Sequence, residues 1–251
     1  MMEVIEAEQI EKALFKYHLE LVSYIMGRIE SNRPRKIVEI GSGPGTFTIP
    51  LLKNLEKMLD KFYCVDSYNR PYAQDREVLE SKLKIEGFHD YVEVIEKDAK
   101  EISKILSDMD LVIGHEILCD LNREQVEHVI AACFHSLREG GLFVHSELSP
   151  WTGNRSEELL QILNKEYSDE PISDKTWFSP TADELAGIAH KLGFTTIHIE
   201  YKKIPIRFLK SAAIEMTRRW RVNKKFLEKY HEEIDAIGIE YPMEQVLYCT
   251  K

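Results

Sequence analysis

No run of about 18 or more apolar residues occurs in the 251-residue sequence, so nothing in it is expected to cross a membrane as a helix. Basic charge is also short. The 33 Lys and Arg against 43 Asp and Glu leave a net charge of −10, which argues against a nonspecific nucleic-acid groove, because such a groove needs a basic face. Cysteine pairs are missing too: Cys64, Cys119, Cys133 and Cys249 are widely separated, with no C-x-x-C. They read as reduced, mostly buried thiols of a cytoplasmic protein. The first residues are acidic and amphipathic, unlike a secretory signal or transit peptide, so the sequon at Asn154-Arg-Ser156 carries no meaning. Repeats, low-complexity segments and flexible linkers are absent. With 43% apolar and 30% charged residues, the expectation is one large globular domain, or one domain with an insertion.

The most informative stretch runs Arg35-Lys-Ile-Val-Glu-Ile-Gly-Ser-Gly-Pro-Gly-Thr-Phe-Thr-Ile-Pro-Leu51. Ile37, Val38 and Ile40 form a short β-branched run suited to a buried parallel strand, and it ends directly in glycines. Gly41, Gly43 and Gly45 remove three side chains from the turn, so its backbone can take positive φ and a ligand can approach the amides. A dinucleotide fingerprint G-x-G-x-x-G would need glycine at position 46, where Thr46 stands. Asp66, at the end of the second apolar run Phe62-Tyr-Cys-Val65, lies about 20 positions on, where a carboxylate can accept from two ribose hydroxyls. A helix cap is the competing reading of that residue.

The pattern Glu39-x-Gly41-x-Gly43-x-Gly45 resembles the first motif of the class I S-adenosylmethionine-dependent methyltransferases. Three further features follow in that family's order: Asp66, the Glu96-Lys-Asp98-Ala99 loop, and Leu137-Arg-Glu-Gly-Gly141 before a strand. The resemblance covers roughly residues 35–250. It implies a Rossmann-like α/β fold: a seven-stranded sheet of order 3-2-1-4-5-7-6, last strand antiparallel, flanked by helices. It also implies S-adenosylmethionine as cofactor, held by Glu39, Gly41, Ser42, Gly43, Gly45, Thr46, Asp66, Ser67, Asp98, Ala99 and His115. Asp98 would accept from the adenine amine while the Ala99 amide meets the ring, and Asp98 also suits an N-cap for a helix starting near Lys100.

Helical spacing predicts one or two helices over residues 4–29, which in such enzymes form a lid (residues 1–34) that could bring Tyr17, His18 and Tyr24 to the acceptor. Further helices are expected over 46–58, 75–87, 122–137 and 155–167, and after the capping box at Thr181-Ala-Asp-Glu184. A helical insertion is expected at about 206–238, within a methyltransferase domain spanning 35–251. In open parallel sheets the carboxyl ends of the strands line the ligand crevice, which places His115 and Glu116 where chemistry occurs. His145 and Glu147 share one face of the next strand. His115 and His145 are the candidate general bases, and Tyr17, Glu116, Glu147, Trp151 and Trp177 the candidate acceptor contacts. Glu116, Asp120 and Glu147 do not match the spacing of a metal-binding catechol enzyme, so no metal is expected. Gly114-His-Glu-Ile117 also lacks the Asn/Asp-Pro-Pro-aromatic and Pro-Cys signatures of nucleic-acid base methylation.

These features favour methyl transfer to O, N or C of a small-molecule acceptor. Two alternatives stay open: a protein or RNA methyltransferase docking through the basic cluster Arg218, Arg219, Arg221, Lys224 and Lys225, and a non-catalytic S-adenosylmethionine-binding module. The basic cluster is explained equally by an anionic acceptor, a solvated helix face or a subunit contact in a homodimer.

Overall fold

The computed structural model describes residues 9–55, 59–68, 75–166, 180–219 and 224–251. Its centre is a seven-stranded sheet in the order β3-β2-β1-β4-β5-β9-β6, formed by β1 (Lys36–Ile40), β2 (Lys61–Asp66), β3 (Val92–Glu96), β4 (Met109–His115), β5 (Leu137–Leu148), β6 (Thr196–Lys202) and β9 (Glu244–Thr250). β1 to β5 pair parallel, and β9 runs antiparallel between β5 and β6. Counting only the strands of this sheet, that is the expected 3-2-1-4-5-7-6 order. Leu137-Arg-Glu-Gly-Gly141 forms an irregular opening of β5 rather than a turn before it. The pairing slips between Met109 opposite Leu137 and Leu111 opposite Leu142, and Gly140 takes φ +71°.

Strand alternation divides the core in two. Ile37, Phe62, Cys64, Leu111, Ile113, Val144 and Val246 face one layer. It holds α1 (Ile10–Ile29), α2 (Thr48–Leu55) and α3 (Asp75–Ile85). Val38, Ile40, Val65, Val112, Phe143, Leu247 and Cys249 face the other, under α4 (Arg123–Ser136) and α6 (Ala182–Leu192). Both helices of the second layer begin with reciprocal capping boxes, Asn122 with Gln125 and Thr181 with Glu184, which satisfy amides that the first turn leaves open. All four cysteines are free, three of them fully buried. No described helix is long and apolar enough to cross a membrane.

α1 buries Ile10, Tyr17, His18, Leu21, Val22, Ile25, Met26 and Ile29 on one stripe, so its packing face belongs to the first core layer. Tyr24, expected near the acceptor, instead donates to Glu200 of β6 at 2.7 Å. Arg28 reaches the same carboxylate at 3.0 Å.

Between β6 and β9 the chain forms β7 (Arg207–Phe208), α7 (Lys210–Arg219), α8 (Lys224–Ile237) and β8 (Ile239–Glu240). The two short strands pair with each other and close this segment on itself, with α5 (Arg155–Glu166) against it. Glu240 is buried, which alone would raise its pKa, but bonds from Lys203 and Arg207 outweigh burial and hold it below the usual carboxylate range. Gly238 ends α8 with φ +73°, and a Cβ there would lie 2.4 Å from the Phe208 carbonyl oxygen. Gly238→Ala is therefore expected to lower stability by about 2–4 kcal/mol in urea unfolding. Gly187→Ala, in the exposed face of α6 with nothing within 4 Å of the new methyl, should raise it by roughly 0.5–1 kcal/mol.

Candidate functional site

Gly41, Gly43 and Gly45 all take positive φ, at +71°, +45° and +79°, in the region that side-chain-bearing residues avoid. The space around them is unequal. A Cβ on Gly41 would come within 2.8 Å of Ile117 and one on Gly45 within 2.7 Å of Leu79, whereas one on Gly43 would meet no protein atom within 4 Å. The middle of the turn thus faces open space while its ends are clasped by neighbouring elements.

Asp66 stands at the end of β2 and holds this turn. Its Oδ2 accepts from the Gly43 amide and its Oδ1 from the Tyr68 amide, both at 2.9 Å. The Ser42 hydroxyl lies 3.1 Å from the Tyr68 hydroxyl. Ser67 and Thr46 are partly exposed beside them. At the next strand end Asp98 accepts from the Lys100 amide at 2.9 Å, so the helix-cap reading holds there. Its other oxygen lies 3.0 Å from the Lys100 ammonium, and Ala99 is buried behind it.

Glu39 lies in β1 immediately before the turn and is buried. Burial foremost, and then the charge of Asp66, raise its carboxyl to about 8, with the Thr48 hydroxyl acting in the opposite direction. Its Oε2 has no hydrogen-bond partner. A buried, unpaired carboxyl oxygen is costly, so this one marks a place built for something else.

The second half of the site is a cluster of side chains at the ends of β4 and β9, beneath α1. His115 stacks on Phe47 with ring centroids 4.8 Å apart and meets the His18 ring edge-on at 5.2 Å. Its Nδ1 lies 2.9 Å from the Ser146 hydroxyl, and its Nε2 has no partner. Burial pushes the His115 pKa well below its ordinary value and lowers His18 to about 4, so both rings are neutral at pH 7. The Tyr17 hydroxyl donates to Glu244 Oε1, and its ring packs against Tyr241 at 5.1 Å. Glu116 carries a positive φ of 50°, a strained setting for a residue with a side chain. Its side chain keeps 40% of its accessible surface, yet burial foremost, then Glu147 and Asp120, raise its pKa to about 8.

The predicted residues do not all meet. His145 is 1% exposed and lies on the opposite sheet face from His115, by the parity of Phe143 and Ile113 in the two core layers. Its Nε2 lies 2.9 Å from Glu147 Oε1. That same oxygen accepts from the Leu118 and Cys119 amides at 2.9 and 3.1 Å. His145 and Glu147 therefore fasten the loop after β4 to β5. Trp151 is 65% exposed. Trp177 lies outside the described residues, as does Arg221 of the basic cluster. Sequence reading missed Glu244 and Tyr241. A signal for Glu244 existed: it falls in phase with Val246 and Tyr248, on the inward face of its strand.

Residues 38–146 match a family model described as a methyltransferase domain. Together with the sheet order, this marks a methyltransferase-like α/β fold. Among solved structures, this methyltransferase fold is similar to an O-methyltransferase family protein of Burkholderia thailandensis (TM-score 0.61, 12% identity), covering 98% of this chain and 59% of that one. It is likewise similar to an S-adenosylmethionine-dependent methyltransferase of Archaeoglobus fulgidus (0.55, 21%, 93% and 94% covered). A third is the magnesium protoporphyrin IX methyltransferase of Synechocystis, which holds S-adenosylhomocysteine (0.58, 13%, 98% and 88% covered). The chain spans less than two thirds of the length of several longer relatives. No curated protein matches by sequence.

Proposed function

We propose that this chain is an S-adenosylmethionine-dependent methyltransferase acting on a small-molecule acceptor. The observation that carries the reading is the partnerless buried Glu39 oxygen beneath three positive-φ glycines. An amino-acid ammonium is the counterpart such a carboxyl lacks. The other residues fit the same cofactor. Asp66 accepts one amide on each oxygen, which leaves lone pairs for two ribose hydroxyls. Asp98 and the Ala99 amide offer an acceptor beside a donor for adenine, and the open side of Gly43 leaves room for the ligand. When bound, the sulfonium supplies a methyl group already activated for transfer to a nucleophilic oxygen, nitrogen or carbon.

The chain's own contribution is placement and exclusion of water. His18 and Phe47 pack against the His115 ring, and Tyr17 donates to Glu244; α1 carries Tyr17 and His18. An acceptor site bordered by these closely packed side chains suits a small molecule better than a polypeptide or RNA. Neutral His115 can accept a proton only weakly, so the acceptor's own acidity or another group must govern its deprotonation.

Calorimetry with S-adenosylhomocysteine is expected to show one binding site per chain. Incubation with S-adenosylmethionine labelled in its methyl group should move label to members of a small-molecule acceptor panel. Tight binding of a nicotinamide dinucleotide with no heat from S-adenosylhomocysteine would overturn the reading. Cofactor binding without turnover on any acceptor would reduce it to a binding module.

A further inference from the structure

We propose that His115, Glu116 and Glu244 form a binding site for a first-row divalent metal ion at the ends of β4 and β9. One ligand atom from each lies within 4.8 Å of the others. Donors around such an ion stand at most about 4.4 Å apart, so a small side-chain adjustment closes the set.

A cluster of acids alone would not carry this. Two further atoms do: His115 Nε2 and Glu244 Oε2 are both buried and both without a hydrogen-bond partner. His115 is 9% exposed and Glu244 fully buried. Each such atom costs about 1–3 kcal/mol when left unpaired, and here two occur in the same three-residue group. The remaining atoms of these side chains are already engaged in ways that orient the free ones. His115 Nδ1 faces the Ser146 hydroxyl at 2.9 Å, which leaves the Nε2 lone pair for a cation, the arrangement that orients metal-ligating imidazoles. Tyr17 donates to Glu244 Oε1, so only Oε2 remains. Glu116 Oε2 lies 4.0 Å from His115 Nε2.

The donor chemistry selects the ion. One imidazole with two carboxylates suits Mn²⁺, Fe²⁺, Co²⁺ or Zn²⁺ better than Ca²⁺ or Mg²⁺, which prefer all-oxygen sets. Three protein ligands leave coordination positions for water or substrate. Sequence spacing could not reveal the site, because Glu244 arrives from β9. A bound cation would lower the pKa of a coordinated hydroxyl, removing the need for a histidine base. That last consequence rests on the methyl-transfer reading, whereas the metal site does not.

The test titrates chelator-treated full-length protein with Mn²⁺ alone, no cofactor present, by calorimetry and electron paramagnetic resonance. One saturable Mn²⁺ per chain is expected, with nitrogen modulation in the spin echo from the imidazole. Glu116→Gln and Glu244→Gln should each weaken binding at least tenfold, and His115→Gln should abolish the nitrogen signal. Asp90→Asn, at an 84% exposed side chain, should change nothing. Absence of saturable binding overturns the proposal, and so does binding without nitrogen coupling in the unaltered protein, whatever the variants' folding. Calorimetry with S-adenosylhomocysteine on the same metal-free sample reports separately on the cofactor reading.

Discussion

Glu39→Gln is expected to flatten the stability of the free protein against pH in the alkaline range while weakening its hold on S-adenosylmethionine. In the folded chain burial, followed by the Asp66 charge, raises this carboxyl from 4.5 to about 8. The folded state therefore binds more protons than the unfolded state between those two values, and stability falls as pH rises through the window. The contribution is fully present below about 4.5 and lost above about 8. A shift of that size corresponds to a loss on the order of 5 kcal/mol by pH 9. Glutamine carries no charge to desolvate, and its amide can donate to the buried Thr48 hydroxyl oxygen beside it. Thermal melts of both proteins from pH 6 to 9, without cofactor, should diverge, with the variant the more stable at the upper end. Other raised groups such as Glu116 titrate in both proteins, so the difference isolates Glu39. Loss of the charged partner for the cofactor's ammonium should raise its Kd by roughly 10–100-fold. Parallel melting curves would show that Glu39 is not held protonated.

Asp66→Ala should weaken S-adenosylhomocysteine binding by about 1–3 kcal/mol, some 5–150-fold, through loss of the charge-assisted bonds to the ribose. The same change removes the acceptor for the Gly43 and Tyr68 amides, so the turn itself loosens. Asp66→Asn separates the two effects, because its oxygen can still serve one amide while its NH₂ cannot accept. The asparagine variant should keep most of the stability and little of the affinity by isothermal calorimetry. Unchanged affinity in both variants would mean that the ribose does not lie at Asp66.

Much of the architecture was legible because it is local. Strand β1 announces itself through Ile37, Val38 and Ile40, the glycine turn through its spacing, and the caps at Asp98 and Thr181 through the residue types that satisfy free amides. The cluster around His115 was less legible because its parts meet across the chain. Tyr17 and Glu244 are 227 positions apart, and no periodicity links them. His145 and Glu147 were correctly expected to share a face, but which face depends on how the sheet is covered. Here it is the one away from His115. The paired strands β7 and β8 are two residues each, too short for alternation to register.

The position of β9 between β5 and β6 sets an order of events in synthesis. Everything through β6 can emerge from the ribosome and collapse, yet a slot stays open between β5 and the edge strand β6 until β9 threads into it. Glu244 rides on that late arrival. A nascent chain halted just before it would present an incomplete hydrogen-bonded surface and lack Glu244 beside His115, so the sheet and this cluster are completed in one step.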